Sequence, residues 1–295
     1  MRFSPRILVL SLAISIAAAG ARATERLPSV HIVFDLDWTL LSSLPAGGDY
    51  SAFAHDPRFF VSEGTAYMIT DGVGETIRRL LDFNRRLGYP YVKISFFSGG
   101  TRERNLEALR RIVVDEKAGL SAAEIAEKVL SFADLKNRHP EIPLDRRLPF
   151  AERWAKDIET PFQDLERTVA VDDTAEFYVG EQRKNLLWLD ETYDYYLHYA
   201  DVEAARARDA GAKYLPPSRE AWLYDRNRIS IVGLELEYAL DAEIAAAKAG
   251  RARKTPFRDR VAKVRKNLAK AKAFAALLAH DPARVFRDCG SLFSR

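Results

Sequence analysis

The chain reads as an α/β protein built on a parallel sheet with helices on both faces. Two observations predict this. Short apolar runs alternate along the chain with stretches whose apolar residues recur at helical spacing. Polar residues also mass where the apolar runs end: Asp35 after 31–34, Ser98 after 91–97, and Asp172 with Asp173 after 168–171. In open parallel sheets ligands bind beyond the carboxyl ends of the strands. Three strand ends delivering polar groups to one edge therefore mark a site.

The elements follow in order. The run 31–34 is a buried strand, and 40–54, rich in Ser, Gly and Pro, is loop. Residues 59–70 alternate around Glu63-Gly64 and predict a hairpin. Val73, Ile77, Leu80, Leu81 and Leu87 form the apolar stripe of a helix that Gly88 stops. A second strand covers 91–97, closed by Ser98-Gly99-Gly100. Leu106, Leu109 and Val113 mark the core face of the next helix. Ser121 with Glu124 makes a capping box, read as opening a helix through Leu130. A proline-bounded loop spans 140–149, and further strands are expected at 168–171 and 186–189.

The chain has 295 residues, 47% of them apolar and 29% charged, enough for a sizeable core and unlike a disordered chain. One cysteine, Cys289, excludes an internal disulfide framework and a thiolate metal cluster. The histidines, at 31, 55, 139, 198 and 280, share no ligand-like spacing, which argues against a histidine-built zinc site. Arg2 and Arg6 precede an apolar run at 7–20 that is too short to span a bilayer, and Ala21-Arg22-Ala23 supplies small residues for cleavage. This predicts a secretory signal over 1–23 and an exported protein, periplasmic or secreted. No cysteine follows the run, which argues against a lipoprotein, and no Arg-Arg pair precedes it, which favours the general secretory route.

Asp35-Leu36-Asp37 places two carboxylates on one side of an extended chain, just past a strand. Close carboxylates ionise together only beside a cation. The pair Asp172-Asp173 on another strand end enlarges the oxygen-rich shell, and hard oxygen donors of this kind suit Mg²⁺. Ser98, Gly99 and Gly100 supply a hydroxyl and unobstructed backbone N–H groups ahead of a helix, an arrangement that cradles anions. With a lysine added, the set suits binding and transfer of a phosphoryl group.

Phe34-Asp-Leu-Asp-Trp-Thr-Leu40 resembles the first motif of the haloacid dehalogenase (HAD) superfamily, Phe96-Phe-Ser-Gly-Gly100 its second, and Val169-Ala-Val-Asp-Asp173 its fourth. The stretches Lys156-Asp-Ile, Leu165-Glu-Arg and Phe177-Tyr-Val179 are similar to the third-to-fourth motif region of its small carboxy-terminal-domain phosphatases. The resemblance covers roughly 30–200. It implies a Rossmann-like domain over 24–200 with a small hairpin flap, followed by a mostly helical extension over 201–295. It also implies roles for individual residues. Asp35 would be the nucleophile that forms an aspartyl-phosphate, and Asp37 the general acid and then base. Lys156 would offset charge on Asp35 and the phosphoryl oxygens. Thr39, Ser98, Gly99 and Gly100 would bind phosphate. Asp35, the carbonyl of Asp37, Asp172 and Asp173 would hold Mg²⁺. The sequence departs from the pattern at Trp38, a bulky residue, at Asp173, where close relatives often have Asn, and at Gly99-Gly100.

The expected function is a Mg²⁺-dependent phosphomonoester hydrolase acting on a phosphorylated protein or small molecule. The alternatives are a periplasmic acid phosphatase of broad specificity, and a secreted binding or effector protein that uses its basic helices. Lys136 and Arg153 compete with Lys156 for the lysine role. Arg102, Arg104 and Asn105 read as ordinary surface residues opening a helix. The short spacing between motifs predicts a site open apart from the hairpin. Residues 251–272 carry ten basic residues against Asp259. Phe257, Val261, Val264, Leu268, Ala271, Ala275 and Leu278 repeat as a seam for packing on another helix, with 236–247 the expected partner. Docking is the favoured reading of this segment. Contact with a polyanion or an anionic membrane surface is the other, and no dedicated nucleic-acid motif accompanies it.

Overall fold

The structure is a computed structural model that describes residues 26–45, 47–209, 212, 214–250 and 255–268. The signal segment and the second half of the basic seam (Ala271, Ala275 and Leu278) lie outside the described residues, as does Cys289.

The principal strands are β1 (Val30–Phe34), β2 (Leu41–Ser43), β3 (Phe59–Ser62), β4 (Thr65–Ile69), β5 (Val92–Phe97), β6 (Lys128–Leu130), β7 (Thr168–Asp172) and β8 (Leu186–Trp188). The larger helices are α1 (Val73–Leu87), α2 (Arg102–Arg111), α3 (Tyr199–Arg208), α4 (Arg219–Lys248) and α5 (Phe257–Leu268). Five strands form one sheet in the order β8-β7-β1-β5-β6, every neighbouring pair parallel. This is the α/β class that the sequence predicts.

The sheet's central position belongs to β1, with β7 on one side and β5 on the other. Its Phe34 lies level with Val171 of β7 and Phe96 of β5. Asp35, Asp172 and Ser98 therefore emerge side by side at one edge.

Both faces of the sheet are buried, as a parallel sheet requires. Ile32, Phe34, Ile94, Phe96, Val169 and Val171 point into a large core with α1, α2, α4 and α5. Val33, Phe97 and Ala170 point the other way, against Leu135, Ile158, Phe162 and Tyr178. Among the described residues the helices on the second face are short, such as Glu159–Phe162, whose Phe162 joins its core.

Three local expectations are corrected. Val113, read as part of a helix's core face, lies past the end of α2 in a short strand, Val113–Asp115, and is exposed. The capping box of Ser121 and Glu124 forms, but its helix ends at Ile125, and Lys128–Leu130 is a sheet strand. The segment is rich in helix formers, and pairing with the open edge of β5 overrides that preference. The stretch 40–54 is not all loop, because β2 joins the hairpin in an antiparallel sheet ordered β2-β4-β3. The hairpin itself matches expectation, with Glu63 (φ 51°) and Gly64 (φ 78°) both left-handed, as a tight two-residue turn needs.

The described part of the C-terminal region shares the main core. Ile229, Val232, Leu236, Ala239 and Leu240 of α4 pack with the strands. In α5, Phe257, Val261 and Leu268 are buried and the helix packs on α4, so the described half of the seam packs on another helix. Among the described residues no helix is long and apolar enough to cross a membrane.

Candidate active site

Asp35 begins where β1 ends, its N–H still donating to the carbonyl of Val171 at 2.9 Å. The chain then turns tightly around Leu36, whose carbonyl accepts from the N–H groups of Thr39, Leu40 and Leu41. Trp38 takes a left-handed conformation within this turn (φ 59°), which costs a bulky side chain about 1–2 kcal/mol. Thr39 ends up fully buried, its hydroxyl without a hydrogen-bond partner.

Lys156 joins the two neighbouring strand ends. Its Nζ lies 2.7 Å from Asp35 Oδ1 and 2.6 Å from Asp172 Oδ2, and the side chain is 1% exposed. The competing cations are engaged elsewhere. Lys136 pairs with Asp157, and Arg153 donates to the carbonyls of Ile142, Pro143 and Arg146. The lysine role thus falls to Lys156 by position. Asp172 is fixed further by the N–H of Thr174 at 2.8 Å and by the hydroxyl of Tyr178 at 2.9 Å. Tyr178 was not singled out as a site residue by the sequence.

Asp35, Asp172 and Asp173 bring carboxylate oxygens within 4.8 Å of one another. Burial raises Asp35 well above the usual carboxylate range, against the pull of Lys156. Burial and the neighbouring Asp172 lift Asp173 to about 7. One ammonium thus serves three crowded carboxyl groups. The cluster is short of positive charge and offers only oxygen donors, so a divalent cation such as Mg²⁺ fits it.

Asp37 points to a different partner. Arg104, from the first turn of α2, grips its carboxylate with both arms, at 2.6 Å to each oxygen. Ser98 Oγ donates to Asp37 Oδ2 at 2.7 Å and accepts from the N–H of Gly100. Arg104 is 6% exposed and Asn105 is fully buried, so neither is an ordinary surface residue, and that reading is corrected. The helix start concealed it, because a charged residue there usually faces solvent.

The two glycines are explained by what lies over them. A side chain at Gly100 would collide with the Arg104 guanidinium, and a Cβ at Gly99 would stand 3.0 Å from the Phe150 ring. Behind the first loop, the fully buried Arg228 of α4 pairs with Asp225 and reaches Ser42 Oγ at 3.0 Å and the Thr39 carbonyl at 3.4 Å. No separate lid domain lies over the cluster among the described residues, yet Asp35 is 4% exposed beneath its own neighbours. Asp37 is half-buried.

No family model matches the chain, and no curated protein matches it. Among solved structures it is similar to Fcp1, described as an essential RNA polymerase II CTD phosphatase. That likeness has 13% identity over 84% of this chain and 73% of the other, with a TM-score of 0.43. It is also similar to a variant of the fission yeast enzyme bound to beryllium fluoride, with 13% identity, the same coverage and a TM-score of 0.41. Likenesses at these values say nothing of activity.

Proposed function

We propose that the protein is a phosphomonoester hydrolase that works through an aspartyl-phosphate on Asp35. The observation that carries this reading is the shared edge of β7, β1 and β5. There Asp35 is flanked by Lys156 and Asp172 on one side, and by Asp37, Ser98 and Arg104 on the other.

In the first step an Asp35 carboxylate oxygen attacks phosphorus, and the bond to the leaving oxygen breaks. Lys156 offsets the negative charge of Asp35 and of the phosphoryl oxygens. Asp37 gives a proton to the departing oxygen and then takes one from the water that hydrolyses the acyl phosphate. Ser98 and the N–H groups of Gly99 and Gly100 orient the phosphoryl group, with α2 opening behind them. Asp35, Asp172 and Asp173, with the carbonyl of Asp37, would hold Mg²⁺, whose charge would offset that of the bound phosphate. The substrate is a phosphorylated small molecule or protein. The basic, apolar and small-residue segments at 1–23 support an exported, periplasmic or secreted location.

The test is hydrolysis of phenyl phosphate with Mg²⁺ present, with inhibition by vanadate. Wild-type turnover that Asp35→Asn abolishes supports the reading. Equal turnover by both proteins refutes it.

A further inference from the structure

Ten large hydrophobic side chains are exposed among the described residues, and four of them are aromatic: Phe132, Phe150, Trp188 and Tyr214, at 41–45% exposure. All four adjoin the segments that supply the site. Phe150 lies over Gly99, and the N–H of Phe132 donates to the carbonyl of Gly100 at 2.9 Å. Trp188 donates its Nε1–H to the carbonyl of Asp173 at 2.7 Å. Tyr214 packs at a tilt against Trp38, the left-handed residue next to Asp37, with ring centroids 4.9 Å apart. The aromatic side continues inward, as Phe150 packs edge-on against Phe177, whose ring lies 4.9 Å from Lys156 Nζ.

Exposed rings are costly to leave in water, and a group of them around a polar centre signals an apolar, flat ligand. Phe132 and Phe150 pack on each other, with ring centroids 6.3 Å apart, while Trp188 and Tyr214 reach the site from separate segments, so one packing cluster does not explain the whole grouping. Each of the four residues also touches or is hydrogen-bonded to a residue of the candidate site or, at Trp38, its immediate neighbour. An aryl monoester carries its ring directly on the ester oxygen, next to the phosphoryl group, whereas the sugar of a nucleotide holds its base several bonds further out.

The chemistry agrees. Asp37 is held by Arg104 and Ser98. A phenol, with a pKa of about 10, departs with less help from a proton donor than an alkanol does.

Resting on the phosphatase reading above, we propose that the protein selects aryl phosphate monoesters, and that Phe150, Trp188 and Trp38 are its specificity-determining residues. In the reaction the Asp35 oxygen–phosphorus bond forms and the phosphorus–aryl oxygen bond breaks. The electron pair leaves on the phenolic oxygen, which takes the proton from Asp37. Water then releases inorganic phosphate and restores Asp35.

The experiment compares kcat/KM for benzyl phosphate, glycerol 2-phosphate and a nucleoside monophosphate, in wild type and in the Phe150→Leu, Trp188→Leu double variant. Benzyl phosphate carries a ring but an alkanol leaving group, so it isolates ring recognition from leaving-group reactivity. Wild type should prefer it to glycerol 2-phosphate by about tenfold, and the double variant should bring the ratio near one. Equal wild-type values, a ratio that survives both substitutions, or a preference for the nucleotide overturns the proposal. A phosphotyrosyl peptide run beside phenyl phosphate tells the source of the ring: a better peptide means a protein substrate, equal values a small aryl ester. A binding arm stands apart from turnover. Phenylphosphonate should bind Asp35→Asn protein about tenfold more tightly than methylphosphonate, and equal affinities overturn the proposal. Failure of every ester with wild type would refute the phosphatase reading, and the phosphonate comparison would still decide ring preference.

Discussion

Arg104 and Asp37 meet fork to fork, both guanidinium arms donating to the carboxylate at 2.6 Å while the arginine itself is almost wholly buried. The contact joins the first motif to the helix that follows the second, across 67 residues of sequence. It fixes the orientation of the group proposed to move the proton. Lysine keeps the charge but lacks the planar fork. Arg104→Lys should lower kcat by about ten- to a hundredfold, and Arg104→Met by more, as general acid–base contributions of about 10²–10⁴ imply. Steady-state kinetics decide it. Unchanged kcat in both variants would remove Arg104 from the mechanism.

The paired glycines make a second prediction. Gly100→Ala should displace the Arg104 guanidinium and cost activity with little loss of stability. Gly99→Ala should press on Phe150, and Phe150→Leu should relieve it. A double-mutant cycle on positions 99 and 150 should therefore show coupling. Additive effects would show that the ring is free to move aside.

Lys156 is the buried counter-charge of Asp35 and Asp172. Lys156→Met should destabilise the protein by about 3–5 kcal/mol in urea unfolding, because it leaves buried carboxylates uncompensated. It should also abolish turnover. A stable, active variant would contradict the site as described.

Glu235 gives a pH prediction away from the site. Burial, helped by Asp190 and opposed by Arg265 at 3.9 Å, lifts its carboxyl to about 7. The unfolded value is about 4.3. The folded protein therefore holds the extra proton between these values. Glu235's contribution to stability is full below about pH 4.3 and is lost as pH rises through about 7. Glu235→Gln should flatten that part of the curve and unfold at a higher temperature than wild type at pH 8. A parallel pair of melting curves from pH 5 to 8 would show that Glu235 carries no such linkage.

The sheet and its three polar strand ends were legible because burial on both faces makes β1, β5 and β7 near-continuous apolar runs. Asp35, Asp37, Ser98, Asp172 and Asp173 follow directly on those runs, so strand position alone brings them to one edge. Contacts set by tertiary packing were not legible. Arg228 reaches the Thr39 carbonyl from 189 residues away, and nothing local in its helix marks it. Phe132 and Phe150 open helices of three and four residues, too short for a period to read. Lys128–Leu130 misled because a strand of three residues was embedded among helix formers. Arg104 misled because its burial depends on Gly100 leaving room.

The central claim is that Asp35 is the nucleophile. The most direct measurement is mass spectrometry of protein quenched in acid during turnover of phenyl phosphate with Mg²⁺ present, followed by peptide mapping. One added phosphoryl group is expected on the peptide that contains Asp35, lost on hydroxylamine treatment and missing from Asp35→Asn. A phosphoryl group on another residue, or full turnover by Asp35→Asn, would contradict it.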